Sequence, residues 1–293
     1  MTAQPVQATK EQKPVRLTAS SYWNIDYADE NCRLARTFGK GENRHVLFFE
    51  QGGPDDRFAF TVAGPAFKKF RGNSSVEIGF GAFPTSSKID PLMGTVEGYG
   101  DAVIYADLDF RNDGENDDEN DDENDDENDD YQKEPKTSVS AIDVGEAAQV
   151  DFVSVRQRNR EVIFETGKLS DAIVALNKCA LDLVRVWGLD IEKHRNLSRM
   201  PVWTNRDRIV RKIQANYPVA ARIRGEQAIK RMRVIVETSG DVSECKLEDA
   251  TTSDKIGGVA CKAMMRAKFQ PALDADGKPM RSYYFASITY KID

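Results

Sequence analysis

At Ser170 the spacing of apolar residues along this chain changes period. Before it stand six short runs: HVLFFEQ (45–51), RFAFTVAG (57–64), SVEIGFG (75–81), DAVIYADLDF (101–110), AAQVDFVSV (147–155) and REVIFET (160–166). Gly, Pro, Asn and Asp punctuate them, and runs of this length between turn residues predict strands. From Ser170 the segment SDAIVALNKCALDLVRVWG sets Ile173, Leu176, Ala180, Leu183 and Trp187 at helical spacing. Ser170 or Asp171 can cap such a helix, and Gly188 can end it. A series of strands followed by one helix predicts an α+β class. Residues 16–192 are expected to form a twisted antiparallel β-sheet or partial barrel closed by a C-terminal helix.

The 293 residues suffice for two domains, and an apolar content of 40% is that of a globular chain. The net charge of −7 conceals two poles. Residues 112–130, NDGENDDENDDENDDENDD, hold nine Asp and four Glu with no basic residue, so the rest of the chain is net +6. This repeat has nothing apolar to bury and repels itself, which predicts a disordered, solvated insertion between strands. As a calcium loop beginning at Asp109 it fails, because Arg111 and Asn120 stand where an acidic ligand and a Glu are needed. The basic pole is residues 193–233, with twelve Lys/Arg against Asp207 and Glu226. Within it, residues 193–212 read as a solvated basic linker with Trp203 packing on a neighbour. A basic patch also suits an anionic polymer, but no nucleic-acid motif accompanies it and no nucleic-acid partner is expected. Residues 1–15 read as a flexible tail.

No run approaches the roughly 18 apolar residues needed to cross a bilayer, so no transmembrane segment is expected. The polar N-terminus, MTAQPVQATKEQKPVR, lacks a signal-peptide core. Compartment therefore rests on cysteine. Cys32, Cys179, Cys245 and Cys261 form no CxxC, and two histidines poorly support a Cys/His zinc site. An even count, two per domain, suits two disulfides and an oxidising compartment; four buried free thiols are the alternative. A Cys32–Cys179 bond would staple the first domain's start to its helix. Catalytic patterns are missing. His45 and His194 stand alone, Ser74-Ser75 and Ser86-Ser87 lack a nucleophile elbow, and there is no P-loop or GxGxxG. No catalytic residue, cofactor or metal is expected.

The C-terminal part reads differently. RMRVIVETSGDVSECKLEDA (231–250) alternates on either side of Ser239-Gly240, a hairpin signal. KIGGVACKAMMRAKF (255–269) is helix-like, with Phe269 anchoring its end and Pro271 stopping it. Asp276-Gly277 turns the chain, and RSYYFASITYKI (281–292) returns as a strand. With a short helix near 207–224, the order is α-β-β-α-β, a three-stranded antiparallel sheet with helices. These pieces, in this order, resemble the C-terminal domain of the TonB energy-transducer family over residues 213–293. The resemblance is carried by Tyr217-Pro218, Gly240, Phe269-x-Pro271-Ala272, Asp276-Gly277-Lys278-Pro279 and the closing Ile288–Ile292 strand. Cys245 and Cys261 are similar to a pair in an alphaproteobacterial subgroup, so the resemblance implies a Cys245–Cys261 disulfide. The family's energy transducers also have an N-terminal membrane helix and a Pro-rich spacer. This chain shows neither, so the binding module is what carries over.

In that family the C-terminal sheet takes up an extended peptide of an outer-membrane transporter by strand addition. The resemblance thus implies a periplasmic envelope protein, not an enzyme, whose partner is an extended segment of another envelope protein. An exposed sheet edge suits this, since unpaired backbone groups supply affinity and alternating pockets supply selectivity. The expected edge is the last strand, with Tyr283, Phe285, Ser287 and Thr289 as its peptide-binding residues. Its aromatics can instead fill the core. Two alternatives remain: adhesion of the basic face to an anionic envelope polymer or lipid, with steep salt dependence, and an uncharacterised enzyme in the first domain.

Overall fold

The computed structural model of the chain describes residues 13–111, 139–216, 223, 228–249 and 259–290. The acidic insertion at 112–130 and the Tyr217-Pro218 motif lie outside the described residues, as do residues 1–12 of the expected tail. Among the described residues, the first domain contains ten strands: β1 (Val15–Thr18), β2 (Asn24–Tyr27), β3 (Cys32–Phe38), β4 (His45–Gln51), β5 (Phe58–Ala63), β6 (Glu77–Phe80), β7 (Leu92–Val96), β8 (Gly100–Leu108), β9 (Val153–Gln157) and β10 (Arg160–Glu165). They form two open sheets, neither closed into a barrel. One is antiparallel, in the order β2-β3-β4-β5-β8-β7; the other is β1-β10-β9-β6, with β1 parallel to β10. The α+β class is as expected, with two sheets where one sheet or a partial barrel was expected.

Burial accounts for the composition of the strands. β4 and β5 are buried on both faces, so they carry nearly unbroken apolar runs rather than alternation. One face meets the second sheet in a shared aromatic core. Phe38 lies edge-on to Phe164 at 5.0 Å, and Phe58 to Phe80 at 5.7 Å. Each fully buried ring of this kind contributes about 1.5–3 kcal/mol of transfer free energy. The second face lies under the C-terminal domain.

A one-turn helix, α1 (Val144–Ala147), precedes β9, and α2 (Ser170–Val186) follows β10. The buried residues of α2 include Ile173, Leu176, Ala180 and Leu183, the stripe its spacing predicts. Its start is corrected: Leu169 is the N-cap, and neither Ser170 nor Asp171 makes a capping bond. Its end is as expected. Gly188 has φ +70°, and the N–H groups of Gly188 and Leu189 reach Arg185 O (2.9 Å) and Val184 O (3.1 Å), a closure that needs a left-handed residue. Cys179 of α2 is bonded to Cys32 of β3, with Cα atoms 6.0 Å apart.

Residues 193–212 are structured along much of their length. They contain the end of α3 (Ile191–Arg195), β11 (Val202–Trp203) and the start of α4 (Arg206–Ala215). The C-terminal domain continues with β12 (Ala228–Val236), β13 (Val242–Asp249), α5 (Val259–Met264), β14 (Phe269–Gln270), β15 (Ala272–Leu273), β16 (Pro279–Met280) and β17 (Ser282–Tyr290). Its sheet is antiparallel, β13-β12-β17. Ile209 and Ile213 of α4 and Ala260, Ala263 and Met264 of α5 cover one face, against Met232, Val234 and Val236. The Cys245–Cys261 bond ties β13 to α5, with Cα atoms 5.5 Å apart. The helix expected to run to Phe269 stops at Met264. Phe269 is drawn into β14 instead. Its N–H donates to Gly240 O at 2.9 Å and its ring stacks on Trp203 at 5.8 Å. Those long-range contacts outweigh the weak propensity of one more helical turn.

Candidate functional site

β17 is the edge of its sheet. β12 pairs along one side of it, from Ala228↔Tyr290 to Val236↔Ser282, and among the described residues no strand pairs with the other side. Pleating sorts its side chains. Tyr284, Ala286 and Ile288 turn toward the helices, whereas Tyr283 and Phe285 turn toward the first domain. Of the four expected peptide-binding residues, Tyr283 is 2% exposed and packs in the first domain's core, its ring 5.2 Å from that of Trp187. Phe285 and Ser287 are half-buried and line a groove of about 280 Å³ with Asp55, Ala106, Asp107 and Ala286. Thr289 lies opposite Ile229 in the strand, and its side chain is outside the described residues. The structure therefore brings Phe285 and Ser287 to the groove and takes Tyr283 away from it.

The face of β12 that looks toward the first domain presents Ile229, Arg231, Arg233 and Ile235. Arg231 and Glu50 are each 4% exposed. Arg231 donates to Glu50 Oε2 at 2.8 Å, and Arg33 donates to Glu50 Oε1 at 2.7 Å. Burial alone would raise the Glu50 carboxyl; Arg231 and Arg33 outweigh it and hold it below the usual carboxylate range. Glu248 accepts from Asn31 and lies 3.8 Å from Arg231. Its carboxyl is pushed up, first by burial and then by Glu50 and Glu30, against the pull of Arg231. Arg233 is held by Glu30 (2.9 Å) and Glu244 (3.0 Å) and sits 4.8 Å over the Trp187 ring. Gly52 and Gly53 permit the close approach, because a Cβ on them would collide with Phe285 and Trp187 respectively.

Both histidines are committed to structure. His45 Nδ1 donates to Asn43 O (2.7 Å), and its Nε2 accepts from Ala66 N–H (3.1 Å). His194 Nδ1 donates to Asp190 O (2.6 Å), and its Nε2 accepts from Ser282 Oγ (3.0 Å). Burial holds both rings below their ordinary value of 6.5, hence neutral.

Residues 213–292 match the family model for the Gram-negative bacterial TonB protein C-terminal domain. This part of the chain is a TonB C-terminal domain. TonB proteins are envelope-associated, and this domain typically makes protein contacts. No curated protein matches the chain. Among the described residues, no helix is long and apolar enough to cross a membrane. Of the described motif residues, Gly240 and Phe269 meet at the hairpin end of the sheet. Gly240, at φ +82°, lies against the Phe269 carbonyl, which a Cβ there would strike. Ala272 is fully buried opposite Met280, and Gly277 turns the β15–β16 hairpin at φ +74°.

Sequence reading did not single out Glu50, Gly52 or the inward roles of Arg231 and Arg233, and it placed Trp187 only on the helix stripe; it counted the two arginines with the basic stretch. A signal was present. In HVLFFEQ and RMRVIV, charged residues interrupt runs too apolar for a sheet with one solvated face.

Proposed function

We propose that this protein is a periplasmic envelope protein whose TonB C-terminal domain binds an extended segment of another envelope protein, such as an outer-membrane transporter, by adding it as a strand to β17. The observation that carries this reading is the unpaired edge of β17 beside an open groove. Two disulfides support an oxidising compartment. In this reading residues 16–192 are a fixed platform that covers one face of the sheet and leaves its edge accessible.

Successive N–H groups of an edge strand point alternately to the neighbouring strand and outward. Of Ala286→Pro and Ser287→Pro, one therefore removes an outward donor and the other a ladder donor. The first is expected to keep its circular dichroism and melting temperature while losing capture of envelope proteins in a pull-down with the full chain. A folded proline variant of each outward position that still captures the same proteins would overturn strand addition. The exposed Arg206, Arg208, Arg211 and Lys212 of α4 favour a second reading, adhesion to an anionic envelope polymer. It is the better account if Arg206→Glu with Arg208→Glu abolishes capture and the folded proline variant does not.

A further inference from the structure

We propose that the acidic insertion, residues 112–130, docks on the cationic outer face of α4 and α5 of its own chain and there competes with other polyanions. The two helices lie side by side on the sheet, with Ile209, Ile213, Ala260, Ala263 and Met264 turned inward. Helical spacing then puts Arg208, Arg211 and Lys212 together on the solvent side of α4, at i, i+3 and i+4. Lys262 of α5 and Arg266 just beyond it are exposed as well. Among the described residues none of these five cations has an ion-pair partner, and Asp207 is the one acid on the two helices. Like charges at this spacing repel one another, and an anion laid across them relieves the repulsion.

Two observations name the occupant. The first is charge: the insertion holds nine Asp and four Glu with no basic residue. The second is where the insertion returns to the fold. Val139 packs on the cluster of Leu197, Ala272 and Met280, which Met200 also joins. From Met200 the chain runs through β11 to Arg206, the first residue of α4, a distance of at most about 22 Å by chain length. Residues 131–138 can span about 29 Å and each further four-residue repeat about 14 Å, so the repeats nearest the return reach α4. Such a tether holds the segment at a local concentration on the order of millimolar, enough to fill a face whose single pairs are weak. Exposed pairs of this kind are screened by salt, so the contact redistributes charge and adds little to stability. An anionic polymer approaching α4 has to displace this segment first.

The test has two arms. In the first, a labelled peptide with the sequence of residues 115–130 is titrated into the intact chain and into the chain lacking those residues, and binding is read by fluorescence anisotropy. At about 50 mM salt the deleted chain is expected to bind it about tenfold tighter than the intact chain, whose face is already filled. Binding to the deleted chain should disappear at about 500 mM salt and in Arg208→Glu with Arg211→Glu, a pair of exposed positions whose circular dichroism should not change. The second arm needs no substitution. A carbodiimide joins carboxylates to amines in contact with them, and in the intact chain it should couple residues 112–130 to Lys212 and Lys262 in preference to the exposed Lys40, Lys88 and Lys168 of the first domain. Equal peptide binding by the two chains, or binding by neither, overturns the proposal. So does binding that survives the folded double Glu variant, which places the cations elsewhere. Coupling spread evenly over the five lysines overturns it as well, because the tighter binding by the deleted chain then reflects only the loss of long-range repulsion.

Discussion

Glu50 shows how much can depend on one side chain. It is the shared counter-ion of two arginines, one of them fully inside the protein. Glu50→Gln leaves the buried Arg231 without its hydrogen-bonded charge partner and with only the more distant Glu248 (3.8 Å) among the described residues, and the expected loss is about 3 kcal/mol, read as a lower denaturant midpoint. Glu50→Leu combined with Arg231→Met should recover most of that loss, since an apolar pair removes both desolvation costs. Acid should act in two stages. The folded protein holds His45 and His194 below 6.5, so the unfolded chain takes up protons that the folded chain refuses, and stability declines as pH falls below about 6.5. Glu50 is also held below its ordinary 4.5, so its contribution is complete above that value and is lost as pH falls through its lower folded value. Urea midpoints across this range check the sign, and replacing both histidines by Gln should flatten the upper stage only. Gly240 was legible in the sequence because a hairpin turn calls for it. Glu50 was not, because alternation says which residues share a face and not which partner that face will meet.

At the scale of elements, the acidic insertion and the disulfides make opposite predictions. The stems of the insertion are anchored without it: Arg111 pairs with Glu146, and the backbone of Ile142 exchanges two hydrogen bonds with the Asn177 side chain. Deleting residues 115–130 should therefore shift the melting temperature by no more than a few degrees, because closure entropy changes only logarithmically with loop length. Cys261→Ser with Cys245→Ser opens a loop of sequence separation 16 and should cost about 3 kcal/mol, measured by denaturant unfolding under non-reducing conditions. The hairpin, the last strand and α2 were legible because each carries its own period and its own stop. The end of α5 was not, because Phe269 is claimed by Gly240 and Trp203, residues 29 and 66 positions away in sequence.

At the scale of the whole molecule, one sheet of the TonB domain is packed between its own helices and the six-stranded sheet of the first domain. Gly52→Val should drive Phe285 out of this contact, lowering the melting temperature and raising binding of a hydrophobic dye. Residues 213–293 made alone should expose Ile229, Ile235 and Tyr283 and self-associate, which sedimentation would show. This arrangement was the least legible part of the fold, since each domain reads as complete by its own pattern and only their shared apolar surplus hints at the other. The same packing joins the two ends of the chain. Arg233 meets Glu30 across 203 positions, and Tyr283 reaches Pro54 across 229. A ribosome delivers these partners at very different times. Until β12 and β17 arrive, a nascent chain holds the outward face of β4 and the Gly52–Trp187 surface open to water, and contacts this distant in sequence form slowly. Strand β17 thus seals this contact, and a chain cut short before it is left with an exposed apolar surface that proteases and chaperones can recognise.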